Sequence, residues 1–237
     1  MSHKSGSESV MVTGADRGIG LGLVEHYLSA GSSVVATTRR DKPGDALAML
    51  AEEYSETLKV RSLDVGDEAS VAAFGRALTE SGVLFDLVIN NAGISLGEGF
   101  GEWTASHFAE HFAVNTFGPV LTVQAIRPCL KAGSVVINMS SGMASAELNI
   151  GPENPLDAYA ASKCALNILT RRLAEKLRPD DIAVVAMSPG WVQTEMGGKD
   201  ATDTVDEAVA KMTRTIAKLG MGDTGRFIGP EGNSCPW

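Results

Sequence analysis

The chain has 237 residues, 44% hydrophobic and 21% charged, with 26 glycines and 9 prolines, a balance that places it among soluble globular proteins and excludes disorder, collagen and coiled coil. Its formal charge is −9, from 20 Lys and Arg against 29 Asp and Glu, and its largest basic clusters are the pairs Arg39-Arg40 and Arg171-Arg172. That excludes a broad nucleic-acid or anionic-membrane surface but leaves anionic small molecules as partners.

Met1 to Ser9 are polar and lack the apolar stretch of a signal peptide, so residues 1–9 are expected to form a disordered tail, with 10–237 as one large domain. Three cysteines, Cys129, Cys164 and Cys235, form no C-x-x-C pair, which points to a reducing, cytoplasmic setting without a disulfide framework. From Val10 onward, short β-branched or apolar runs alternate with helix-like segments. Strands are expected at Val10–Thr13, Ser33–Thr38, Lys59–Asp64, Asp86–Asn90, Ser134–Met139 and Ile182–Ser188, with a weaker seventh at Arg226–Ile228. Helices are expected near 18–30, 44–55, 67–80, 104–130, 157–178 and 203–219; in the fifth, Leu166, Leu169, Leu173 and Leu177 recur at three- and four-residue steps. This alternation predicts an α/β fold, one doubly wound parallel sheet of about seven strands with helices on both faces. Ligands of such sheets collect outside the carboxyl ends of the strands.

After the first strand stands Thr13-Gly14-Ala15-Asp16-Arg17-Gly18-Ile19-Gly20, followed by a helix. Glycines let backbone approach a pyrophosphate, and the helix amino end offers unpaired N–H groups. Alone, the G-x-x-x-G-x-G spacing also suits a merely flexible loop; strand before and helix after favour a dinucleotide-binding Rossmann arrangement. The second strand ends at Thr37-Thr38-Arg39-Arg40, with no acid to accept from a free ribose 2′-hydroxyl. Arg39 and Arg17 could instead converge on a 2′-phosphate, so NADP(H) is favoured over NAD(H). The competing view is that both arginines are simply solvated.

Three further segments, Asn90-Asn91-Ala92-Gly93, Ser140-Ser141 and Tyr159-Ala160-Ala161-Ser162-Lys163, fall at strand ends or on a helix. With the glycine loop, in order and spacing, they resemble the short-chain dehydrogenase/reductase family, from about Val10 to the carboxyl terminus. The stretch from Gly225-Arg226-Phe227 to Pro236-Trp237 resembles its C-factor-like, carbonyl-reductase-like branch. The resemblance implies that Gly14, Gly18, Ile19 and Gly20 hold the cofactor, that Asp64 and Val65 flank the adenine, and that Asn91, Ala92 and Gly93 line the cleft. It further implies that Pro189, Gly190, Val192 and Thr194 hold the nicotinamide end. The implied catalytic tetrad is Asn115, Ser141, Tyr159 and Lys163, with Tyr159 and Lys163 also touching cofactor.

The chemistry gives its own reasons for these residue types. Tyr159 and Lys163 are four apart on a helix and share a face. Two unit charges about 4 Å apart at an effective dielectric of about 20 interact by roughly 4 kcal/mol, enough to bring a phenol down towards neutrality, where proton transfer is efficient. In reduction, hydride passes to a ketone or aldehyde carbon while Tyr159 protonates the oxygen and Ser141 hydrogen-bonds it; oxidation of a secondary alcohol reverses this. Asn115 is placed by resemblance to hold a water that relays protons to Lys163. Ser140 and Ser145 also lie near this position, and Ser141 is chosen as the second of the pair after the strand. Tyr159 follows Ser141 by 18 residues, and the extra stretch Glu147 to Asp157 is expected at the substrate mouth.

Two other functions compete. His107-Phe108-Ala109-Glu110-His111 matches the H-x-x-E-H pattern of a zinc hydrolase, although a third ligand is lacking and no metal is expected. A non-catalytic NADP(H)-binding sensor or signalling protein is the other, disfavoured by the intact tetrad. Leu96, Met143, Trp191 and Met196 are candidate apolar walls for an uncharged carbonyl substrate, and Glu195–Asp200 is expected to be a short flexible segment near it. The resemblance implies a homodimer, or a tetramer, through the helices near 104–130 and 157–178.

Overall fold

The computed structural model describes residues 8–237. Of the expected tail, residues 1–7 lie outside the described residues, and Ser9 already pairs with Ser33 as the first residue of a strand. The strands are β1 (Ser9–Val12), β2 (Ser33–Thr38), β3 (Leu58–Ser62), β4 (Phe85–Asn90), β5 (Leu130–Met139), β6 (Ala183–Met187) and β7 (Phe227–Ile228). The helices are α1 (Gly18–Ser29), α2 (Asp45–Glu53), α3 (Glu68–Ser81), α4 (Ala105–Phe112), α5 (Gly118–Ile126), α6 (Asp157–Leu177) and α7 (Val205–Ile216). All seven strands run parallel in one sheet, in the order β3-β2-β1-β4-β5-β6-β7.

Strand alternation divides the core into two halves. Val10, Val12, Leu87, Ile89, Ile137 and Val185 face α1, α2 and α7, where Leu23, Leu47 and Met212 are buried. Met11, Val88, Val136 and Val184 face the other way, onto Phe74 of α3, Ile126 of α5 and Ala174 of α6. Both faces of each central strand are therefore apolar, as helices on both sides require. Asn90 and Asn138 are polar exceptions that pair across the β4–β5 register, Asn90 donating to Asn138 at 2.9 Å and Asn138 donating to the Thr170 hydroxyl at 2.9 Å.

The expected strands and helices all form, with ends displaced by a few residues. The exception in kind is the single helix expected near 104–130. It is α4 and α5 joined by a π-helical turn, Ala113–Phe117, and ended by a 3-10 turn, Arg127–Cys129. Apolar periodicity runs smoothly through this stretch and does not register one extra residue in a turn. No helix among the described residues is long and apolar enough to cross a membrane.

Candidate active site

The strand order reverses between β1 and β4, which opens a crevice beyond Val12 and Asn90. One wall is the glycine loop. Asn91 Nδ2 donates to the carbonyls of Thr13 and Gly14 at 3.0 and 3.1 Å, and the Thr13 hydroxyl accepts from the Ala92 amide at 3.0 Å. This closure leaves no room for side chains: a Cβ added to Gly14, at φ +65°, would lie 2.8 Å from Ala92 Cα, and one added to Gly20 would lie 2.2 Å from the Gly14 carbonyl. Whereas α3, α4 and α7 are capped by the side chains of Asp67, Thr104 and Thr204, α1 has no side-chain cap. Its first amides, around Gly18, Ile19 and Gly20, are thus without a protein side-chain acceptor, which suits an anion.

Thr194 stands against this loop, its methyl 3.3 Å from where a Gly18 Cβ would be. It also organises its own segment: the Thr194 hydroxyl accepts from Gly197 N at 3.0 Å, Gly198 N donates to the Thr194 carbonyl at 2.9 Å, and the Trp191 indole donates to the Gly197 carbonyl at 2.7 Å. Val192 is buried and its bridge to Asp203 closes the base, beside Pro189 and Gly190. The segment Glu195–Asp200 is therefore a closed, hydrogen-bonded loop and not the simple flexible connection expected, because Gly197 lets the chain turn back upon Val192. On the far side, Val65 is buried behind Gly118, while Asp64 turns its carboxylate back onto its own Gly66 amide at 2.9 Å.

At the end of β2 two arginines and an acid come into view. Arg17 pairs with Glu195, and Arg39 is exposed without a carboxylate partner among the described residues. An acid does reach the end of β2, supplied by the glycine loop. Asp16 accepts from the Thr38 hydroxyl and from Gly44 N, at 2.9 Å in the latter case, with Arg40 Nε 3.9 Å away. Reading β2 alone could not show this, since Asp16 arrives from another element 22 residues earlier.

The second group assembles around α6. Tyr159 and Lys163 share a face, with Lys163 Nζ 5.9 Å from the centre of the phenol ring. Lys163 is 3% exposed and donates to the Met139 carbonyl at 2.7 Å. Burial lowers its pKa to about 8. Burial also raises the Tyr159 pKa, and a hydrogen bond with Ser141 opposes this in part. In the protein chain alone, burial is the largest influence on the phenol and acts against its ionisation.

Of the three neighbouring serines, Ser141 is the one bonded to Tyr159. Ser140 donates to buried Asn167 at 2.7 Å, and Ser145 donates to the Trp237 carbonyl at 3.3 Å. Asn115 lies in the π turn, fully buried; its Oδ1 accepts from Ile94 N at 2.8 Å and its Nδ2 donates to the Ile94 carbonyl and the Ser162 hydroxyl at 2.9 and 3.0 Å. Both hydrogens of its side-chain amide are committed, while Oδ1 accepts one hydrogen bond and keeps a second lone pair. Gly93 separates it from Lys163: a Cβ there would meet Asn115 Oδ1 at 3.2 Å and Lys163 Nζ at 3.5 Å.

Leu96, Trp191 and Met196 are exposed and Met143 is half-buried. The stretch Glu147 to Asp157 packs against the segment that follows Leu96, where Glu98 N donates to the Pro155 carbonyl at 3.1 Å. His107 and His111 are spent on the same wall. His111 Nε2 accepts from Leu96 N at 3.0 Å while its Nδ1 faces the His107 carbonyl at 2.9 Å, and His107 Nδ1 lies 3.2 Å from Glu98. With both ring nitrogens engaged, His111 has no lone pair for a metal ion, which overturns the zinc reading.

One contributor escaped the sequence reading. Trp237 packs its indole against Phe227, with centroids 5.7 Å apart, and under the Arg171 guanidinium at 5.0 Å, while its main-chain oxygen accepts from Ser145 and from Glu147 N at 3.0 Å. It thereby holds the loop that follows Ser141. The signal available was an aromatic after Pro236 in a polar stretch, too weak without the contact.

The short chain dehydrogenase family model matches residues 8–205. Among curated proteins, the C-signal protein of Myxococcus xanthus is 37% identical over 155 residues, 64% of this chain and 92% of that one. Among solved structures, an NADPH-bound carbonyl reductase from chicken fatty liver superposes with a TM-score of 0.90 at 36% identity, covering 98% of this chain and 99% of that one. The carbonyl reductase Sniffer of D. melanogaster gives 0.90 at 27% identity, covering 98% and 100%.

Proposed function

The chain belongs to the short-chain dehydrogenase/reductase family, and from that premise we propose that it is an NADPH-dependent carbonyl reductase in which Tyr159 is the general acid/base. The observation that carries this is buried Lys163, tied to the Met139 carbonyl at 2.7 Å with its Nζ 5.9 Å from the centre of the Tyr159 ring, beside a glycine cradle that an added Cβ would fill. The cradle fits a dinucleotide: uncapped α1 amides and the bare backbone of Gly14, Gly18 and Gly20 would take the pyrophosphate. Asp64, Val65, Asn91 and Ala92 would line the adenosine and ribose walls, and Pro189, Gly190, Val192 and Thr194 the nicotinamide end. When bound, NADPH supplies the hydride.

The protein's own part is proton management. A phenol raised by burial is protonated at neutral pH, the form needed to donate to a carbonyl oxygen, while Ser141 donates a second hydrogen bond to that oxygen. Lys163 keeps its charge below about pH 8 and would orient the nicotinamide ribose, and Asn115 would serve the relay. Reduction is therefore expected to weaken as pH rises through 8. Leu96, Met143, Trp191 and Met196 favour an uncharged, bulky ketone or aldehyde. We read the protein as cytoplasmic, from its three free cysteines, and as a homodimer through α4, α5 and α6, where Phe117 and Ile168 are exposed; a mass in solution tests the latter.

The decisive experiment is Tyr159→Phe assayed on a panel of ketones and aldehydes with NADPH and NADH. A loss of about 10³-fold in kcat with NADPH binding retained is expected. Unchanged turnover would sink the mechanism, and no turnover by the wild type on any carbonyl would favour the non-catalytic binding protein.

A further inference from the structure

Three arginines stand at the adenosine end of the crevice, and two of them already face carboxylates. Arg17 pairs with Glu195, their side chains 68% and 72% exposed. Arg40 faces Asp16, which is different in kind: its side chain is 17% exposed. Asp16 is held independently of Arg40, by the amide of Gly44 at the start of α2 and by the hydroxyl of Thr38 at the end of β2. The Thr38 hydroxyl in turn accepts from Arg40 N at 3.2 Å. The result is a fixed negative charge between the glycine loop and β2, where a phosphate on the adenosine ribose would have to be read.

We infer that Asp16 and Glu195 are counter-charges that hold down the affinity of this end for a 2′-phosphate, so that selectivity for NADP(H) over NAD(H) is graded. The inference builds on the nucleotide reading above and assigns its specificity-determining residues. A carboxylate beside a bound phosphate repels it, and one that already holds a guanidinium must be displaced before that guanidinium can turn. The shielded Asp16 is screened less by salt than the exposed Glu195, so it has the larger effect.

Asp16→Asn isolates the charge. An amide oxygen can still accept from Gly44 N and the NH₂ can donate to Thr38, so the tie between loop and strand survives. The test is direct titration of the full chain, by calorimetry or fluorescence, with NADP⁺ against NAD⁺ and with 2′-AMP against 5′-AMP. For D16N, NADP⁺ and 2′-AMP are expected to bind about fivefold tighter, with NAD⁺ and 5′-AMP changed by less than about twofold. E195Q is expected to tighten NADP⁺ by about twofold at low ionic strength, an advantage that disappears in about 0.5 M salt. R39A is expected to weaken NADP⁺ about tenfold and leave NAD⁺ alone. An unchanged NADP⁺/NAD⁺ ratio in D16N and E195Q, or weaker NADP⁺ binding in D16N, overturns the inference. Should D16N not fold, the surface variant E195Q decides by the same ratio. Wild-type preference for NAD⁺ would overturn the NADPH reading by itself, while the variant ratios still decide whether the two acids act as counter-charges.

Discussion

On the β1 side of the crevice the chain is packed backbone to backbone; on the opposite lip, side chains stand in the open. Gly20 sits so close to Gly14 that an added Cβ would lie 2.2 Å from its carbonyl, whereas one added to Gly99, on the lip that leads to α4, would meet nothing within 4 Å. Asn91 ties the first region together with two hydrogen bonds to main chain. The second exposes Leu96, Phe100 and Trp103, with Phe100 89% exposed. The difference matches what each side would bind under the proposed function. A pyrophosphate is recognised by amides and demands bare, fixed backbone. An apolar carbonyl compound is recognised by side-chain surface, which tolerates variation.

Substitutions can break that contrast in order of severity. Gly20→Ala should do most damage: the new methyl collides with Gly14 and with Asn91 Nδ2 at 2.6 Å, and we expect a loss of about 100-fold or more in nucleotide affinity together with about 2–3 kcal/mol of stability, measured by titration and denaturant melts. Next is Lys163→Met, which removes the buried charge. Burial holds the folded pKa at about 8 against 10.5 for a free lysine, so the charged form burdens the fold fully below pH 8 and the burden fades between 8 and 10.5. After allowance for the Met139 carbonyl left without its donor, the variant should be more stable by about 2 kcal/mol at pH 7, with the gain shrinking above pH 8, yet inactive. A variant less stable at every pH would refute the assignment of strain to this lysine.

Trp237→Ala should act more gently. It loosens the loop after Ser141 without touching Tyr159 directly, so KM for a carbonyl substrate should rise about fivefold with kcat less affected, and Trp237→Phe should restore most of it. Gly99→Ala is the smallest: stability within about 0.5 kcal/mol of the parent and nucleotide affinity unchanged. A large nucleotide defect there would erase the distinction between the two sides.

Sequence pattern carries the sheet and the glycine cradle because both are local. A run as apolar as Val135, Val136 and Ile137, opened by Gly133 and Ser134 and closed by Ser140 and Ser141, leaves little choice but a buried strand. Asn115 falls in the right stretch, but the π turn that carries it and the commitment of its amide to Ile94 and Ser162 depend on packing between α4 and α6. Choosing among Ser140, Ser141 and Ser145 requires partners on α6 and at Trp237, far along the chain. Asp16 looks like a spacer between glycines, since nothing in its neighbourhood announces Thr38 or Gly44 as its partners. In each case the missing information is a contact between distant segments, which periodicity does not encode.

The hydrogen bond from Ser145 reaches forward to Trp237, and the late position of that partner in the chain sets an order of assembly. The contacts that close the glycine cradle, from Asn91 to Thr13 and Gly14, can form once β1, α1, β2 and β4 have been synthesised. The loop beside Ser141 must wait for β6, α7 and β7, because its partner Trp237 is made only after them. A chain emerging from the ribosome should therefore acquire its nucleotide cradle while its proton-transfer machinery is still unformed, and nucleotide present during synthesis would act on a half-built protein.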